Sequence, residues 1–138
     1  MPVVAFKHDE DPKEKIFKEA GDLSQIEIMN NQVLVGLYTR PDELKTTGGI
    51  LITHKTTEED RYQTKVGVIL KMGPKAFDKD SEWFEGGPTF KVGDWISFRS
   101  MDGWTVTLFS PGQKDGQLCR LMDDRAVKMR VSHPDRIY

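Results

Sequence analysis

The chain is short of several things, and each shortage excludes a class of protein. It holds one cysteine, Cys119, in 138 residues, so an internal disulfide is excluded, and with it a disulfide-stapled secreted fold. Cys119 stands in Gln117-Leu118-Cys119-Arg120-Leu121-Met122, an apolar strand setting without a neighbouring histidine. That setting reads as a buried thiol rather than a nucleophile, and a reducing, cytoplasmic compartment fits it. No run approaches the roughly 20 consecutive apolar residues that span a bilayer, and the N-terminus lacks the apolar core of a secretory signal. Charge of one sign is lacking as well. The formal net charge is -2, with acidic and basic residues interspersed, which offers no field to collect nucleic acid or an anionic membrane.

The apparatus of catalysis is equally sparse. His8, His54 and His133 are far apart and lack the paired spacing of a metal site. No Gly-rich loop ends in Gly-Lys-Ser or Gly-Lys-Thr, so a nucleotide, if one is needed, is the partner's to bind. The carboxylate runs Asp9-Glu10-Asp11 and Glu58-Glu59-Asp60 sit in polar stretches rather than in apolar pockets that would shift a pKa. The expectation is a protein with no enzymatic activity, no metal and no cofactor of its own.

What is present is organised for a small all-β domain. Residues 11–20 are rich in Lys and Glu, with Pro12 at a first-turn position and Gly21 just past the end, which predicts one short helix. Its apolar residues are few (Ile16, Phe17, Ala20), so it is expected to pack weakly or against a neighbouring subunit. From Asn31 onward, short β-branched runs alternate with Gly, Pro and Asp punctuation, the pattern of a small barrel or sandwich. Strands are predicted at 32–38, 49–53, 64–72, 95–99, 103–109, 116–122 and 126–131. Gly93-Asp94, Asp102-Gly103, Asp115-Gly116 and Asp123-Asp124 fall between them as turns. The division is a 1–30 extension, a 31–131 barrel and a 132–138 tail.

Two connections are too long for hairpins and read as functional loops. The first, about 40–63, is polar and Thr-rich except for Ile50-Leu51-Ile52, which follows Thr46-Thr47-Gly48-Gly49. One reading makes the triplet an apolar plug on a polar tether, retained because it inserts into a groove on a partner. The other makes it an edge strand completing the core, and the residues alone leave both open. The second connection, about 73–90, carries Phe77, Trp83, Phe84 and Phe90. Most of these aromatics are read as folding back to extend the core, against the alternative of a remodelled wall or roof.

The ordered set of fragments resembles the GroES family of co-chaperonins. It runs from Val33-Leu34-Val35 through Gly48-Gly49-Ile50-Leu51-Ile52-Thr53 and Thr64-Lys65-Val66-Gly67-Val68-Ile69-Leu70. It continues with Lys91-Val92-Gly93-Asp94-Trp95-Ile96-Ser97-Phe98, Asp102-Gly103-Trp104-Thr105-Val106 and Leu121-Met122-Asp123-Asp124-Arg125-Ala126-Val127. Each fragment is weak alone, and the order is specific. The resemblance implies a GroES-like irregular β-barrel with a mobile loop, in a homo-oligomer, by analogy a heptamer, that caps a chaperonin ring and helps enclose unfolded substrate protein. It makes Ile50, Leu51 and Ile52 the chaperonin anchors, with Gly48 and Gly49 supplying backbone freedom and Thr53 at the edge. It also places Trp104 where related proteins set an aromatic facing the chamber, although a turn-adjacent Trp also packs against its own hairpin. The family's short roof hairpin is not recognisable, and the N-terminal and C-terminal arms have no counterpart in a minimal member. These departures resemble divergent bacteriophage members, which implies a host-cell cytoplasm. The alternative is a structural or assembly protein, such as a phage particle component, that keeps the fold without binding a chaperonin.

Overall fold

The computed structural model describes residues 5–6, 11–38, 44–45, 65–78, 84–85, 87, 89–99, 101–109 and 116–134. Six strands form one antiparallel sheet in the order β6-β7-β2-β4-β5-β8. They are β2 (Gln32–Leu37), β4 (Val66–Met72), β5 (Trp95–Ser97), β6 (Trp104–Leu108), β7 (Gln117–Asp123) and β8 (Met129–Val131). Two further short strands, β1 (Ala5–Phe6) and β3 (Leu44–Lys45), pair with each other. One helix, α1, spans Pro12–Ala20. The all-β class and the short N-terminal helix predicted from the sequence are therefore observed, the strands being antiparallel. Among the described residues the sheet is open, with β6 and β8 as its edges.

Strands β2 and β4 are apolar at successive positions because the sheet is covered on both sides. Leu34, Val66, Val68, Leu70, Trp95 and Cys119 join one buried cluster, whereas Val33, Val35, Leu37, Ile69, Ile96, Leu118 and Met122 join another. The strand period of two assigns neighbours to opposite faces. Between Leu34 and Val35 the β2–β4 register slips: Leu34 pairs with Lys71 and Val35 with Ile69, leaving Leu70 as an inserted residue. This bulge lets two consecutive residues serve one side. Leu70 enters the first cluster, and the Lys71 ammonium donates to the carbonyls of Leu23 and Ile26, which flank it.

The first cluster is closed by α1. Asp11 caps the helix, its carboxylate accepting from the Glu14 N–H at 3.3 Å, with Pro12 in the first turn. Ile16 and Ala20, one turn apart, are 5% and 4% exposed and lie within that cluster. The expectation that the helix packs weakly or on a neighbour is thus corrected. A thin apolar stripe suffices because Gly36 leaves a notch: a Cβ there would stand 2.5 Å from Ile16 Cγ2. Burying one such side chain contributes about 1.5–3 kcal/mol.

The second cluster is closed by the aromatic connection, as the fold-back reading expected. Phe77 stacks on Phe90 at 4.5 Å and meets Phe84 edge-on at 5.4 Å, while the Arg130 guanidinium lies over Phe90 at 5.5 Å. Trp83 lies outside the described residues. Phe77 sits at φ 55, a costly conformation for a bulky residue, and its N–H donates to the buried Asp124 carboxylate at 2.9 Å. Asn31 Nδ2 donates to the other carboxylate oxygen at 3.1 Å. Asp124 begins a 3-10 turn over Asp124–Ala126, which is why β8 starts at Met129 rather than at the predicted 126.

Tight turns complete the frame. In Lys91-Val92-Gly93-Asp94 the Asp94 N–H bonds the Lys91 carbonyl at 3.1 Å, and Gly93 takes φ 98 at the position where a type II turn needs a positive angle. Arg99 leaves the predicted strand because it enters a turn with Asp102, donating through Nη2 at 2.9 Å and through its N–H at 3.1 Å.

Candidate functional site

The first long connection leaves the sheet at one place and returns beside it. Leu37 on β2 faces Gly67 on β4, and the Tyr38 N–H donates to the Val66 carbonyl at 3.1 Å. On the returning side the Lys65 carbonyl accepts from the Phe98 N–H at 2.9 Å. The chain therefore departs after Tyr38 and returns at Lys65 on two adjacent, hydrogen-bonded strands. Tyr38 is 3% exposed and meets Trp95 edge-on at 5.9 Å, which fixes the departure point with an aromatic pair.

A buried amide locks the same corner. Gln117 opens β7 with its side chain buried, and its Nε2 donates to the Leu37 carbonyl at 3.0 Å and the Leu118 carbonyl at 2.8 Å. Sequence reasoning passed over Gln117 as part of an apolar strand. Its signal was a lone uncharged polar residue opening that strand, which must find partners when buried. Asp124 was likewise read only as turn chemistry. Its aspartate pair with Asp123 is split by environment: Asp124 is buried, and Asp123 accepts from the side chain of Gln32 at 2.6 Å at the surface.

The anchors assigned by resemblance, Gly48, Gly49, Ile50, Leu51, Ile52 and Thr53, lie outside the described residues. The described part of that connection is β3, where Leu44 pairs with Phe6 and Lys45 with Ala5. Trp104 opens β6, the edge strand, opposite Leu121 of β7. It is 63% exposed in the single chain, and Phe109 at the far end of the strand is equally open.

Burial lowers the Arg120 pKa, an effect that Asp102 opposes; the Arg120 Nη1 donates to the Asp102 carbonyl at 3.1 Å. The Arg99 side-chain hydrogen bond holds the Asp102 carboxyl below the usual carboxylate range. Burial pushes the Cys119 thiol up to about 12, so no useful thiolate exists at neutral pH. Among the described residues no three His, Cys, Asp or Glu side chains gather as a metal site, and no helix is long and apolar enough to cross a membrane.

The described residues define an antiparallel sheet with a long connection between two adjacent strands. The chain belongs to the chaperonin 10 kDa subunit family, whose model matches residues 25–132. No curated protein matches the chain. The family is one of oligomeric, non-enzymatic co-chaperonins that work with GroEL-type chaperonins. Helix α1 lies outside the matched stretch.

Proposed function

We propose that this protein is a co-chaperonin that caps a chaperonin ring, docking through Ile50, Leu51 and Ile52 and enclosing substrate protein during ATP-dependent folding. The observation that carries this reading is the family match across 25–132, with the connection at 39–64 framed by β2 and β4. A hydrophobic triplet on such a connection suits a hydrophobic groove on the partner. Gly48 and Gly49 give the backbone freedom that docking uses. Ordering the segment on binding costs conformational entropy, so one subunit binds modestly. A ring of identical subunits, a heptamer in this reading, recovers the affinity through simultaneous engagement. Trp104, exposed at a sheet edge, is the candidate for lining the enclosed chamber, and the site of action is the cytoplasm, bacterial or phage-infected.

Native mass spectrometry tests the reading. The protein alone is expected to form a symmetric ring, and with a bacterial chaperonin and ATP to join it. The double variant Ile50→Asp, Leu51→Asp keeps the ring and loses the joint assembly. A ring or monomer indifferent to chaperonin overturns the reading and favours a structural role on the same fold.

A further inference from the structure

The N-terminal segment reaches the insertion that the proposed function uses. β1 (Ala5–Phe6) does not join the six-stranded sheet; its partner is β3 (Leu44–Lys45), in antiparallel register Ala5 with Lys45 and Phe6 with Leu44. Lys45 directly precedes Thr46-Thr47-Gly48-Gly49 in the chain. Further along the N-terminal segment α1 begins at Pro12, fixed to the sheet by Ile16 in the Gly36 notch and by Ala20, and is followed by Asp22, whose side chain accepts from the Ser24 N–H at 3.0 Å. Lys71 donates to the carbonyls of Leu23 and Ile26, which follow the helix in the chain. The N-terminal arm is thus anchored on the domain at its root and paired with the insertion at its tip.

We propose that β1 and α1 form a brace that orders Leu44 and Lys45, just ahead of the docking residues, before any partner arrives. This rests on the reading that the connection docks on a chaperonin. The described pairing of β1 is to Leu44 and Lys45, which lie ahead of the docking residues in the chain, so a brace is the reading carried forward and a block is the competing outcome of the test. Backbone that is already paired in the free protein has surrendered its freedom beforehand, so binding is spared that cost. Both α1 and β1 lie outside the family-matched residues, so the brace is an addition to the common domain.

The test compares the full chain with a variant lacking residues 1–10, which retains Asp11 as the cap of α1, and with the full-length double variant Ala5→Pro, Phe6→Pro. Proline supplies no ladder donor and fixes φ away from strand values. Hydrogen exchange of the free proteins is read first. Amides in 39–45 are expected to exchange at least tenfold faster in both variants, while those of β2, β4 and β7 keep their protection. Binding to a bacterial chaperonin with ATP is read second, and fixing even one residue less in advance is expected to weaken it by about tenfold. Unchanged exchange in 39–45 overturns the brace whatever the chaperonin does. Faster exchange with tighter chaperonin binding overturns it in favour of a block. If no version of the protein binds chaperonin, the capping function fails, and the exchange result still decides whether the brace exists.

Discussion

The two faces of the central sheet are closed by different means. On one, a charged helix contributes two well-buried apolar residues, Ile16 and Ala20, and the fit depends on a missing side chain at Gly36. On the other, an irregular connection contributes three aromatic rings and is pinned at its corner by the buried Asp124 carboxylate. The helix needs little polar help because its own backbone bonds are satisfied internally. The aromatic connection has no such ladder, so its backbone must find partners elsewhere, and Asp124 supplies one for Phe77. Shape complementarity closes the first face, and a buried polar anchor closes the second.

That contrast can be broken most forcefully at Ile16. Ile16→Ala empties the Gly36 notch and is expected to cost about 2–4 kcal/mol in chemical denaturation, with exchange protection lost first in α1 while the Phe77 corner persists. Asp124→Ala comes next. It leaves the Phe77 N–H without its buried acceptor and should cost about 2–3 kcal/mol, with the loss centred on 73–78 and 89–90 and α1 unaffected. A mutation that loosened both faces equally would contradict the separation.

Gly36→Ala sharpens the comparison. Its Cβ meets Ile16 Cγ2, so it should destabilise by about 1–2 kcal/mol in the native chain and by much less in the Ile16→Ala background, a double-mutant cycle that isolates the contact. The smallest effect is at the exposed hairpin. The folded pKa of Asp102 is depressed, chiefly by the Arg99 side-chain hydrogen bond. Its contribution is therefore present above the unfolded carboxylate range and is lost as pH falls through the lower folded value. Because Arg99 is 70% exposed, Asp102→Asn should cost under about 1 kcal/mol at pH 7 and flatten the acid limb of stability measured against pH.

Much of this was legible in the sequence for identifiable reasons. The β-branched runs gave β2, β4 and β7 to within a residue or two, because their apolar density and turn punctuation agree. The helix limits were legible from Asp11, Pro12 and Gly21. Its docking was not, since the strength of two apolar residues depends on the Gly36 notch, a feature of the opposite element. The fold-back of Phe77, Phe84 and Phe90 followed from the cost of exposing three rings. The Asp124 anchor did not, because a carboxylate after a strand looks the same in sequence whether it faces water or a buried amide. The bulge at Leu70 was hidden for a related reason, since both faces are apolar and no break in alternation marks the slip. The residues assigned to chaperonin docking came from resemblance, and they fall outside the described residues.

The most direct test of the central claim is the steady-state ATPase of a bacterial chaperonin titrated with this protein. Capping predicts a saturable fall in turnover, abolished by the Ile50→Asp, Leu51→Asp double variant. An ATPase that stays unchanged at every concentration, under conditions where the protein is folded, would contradict the account.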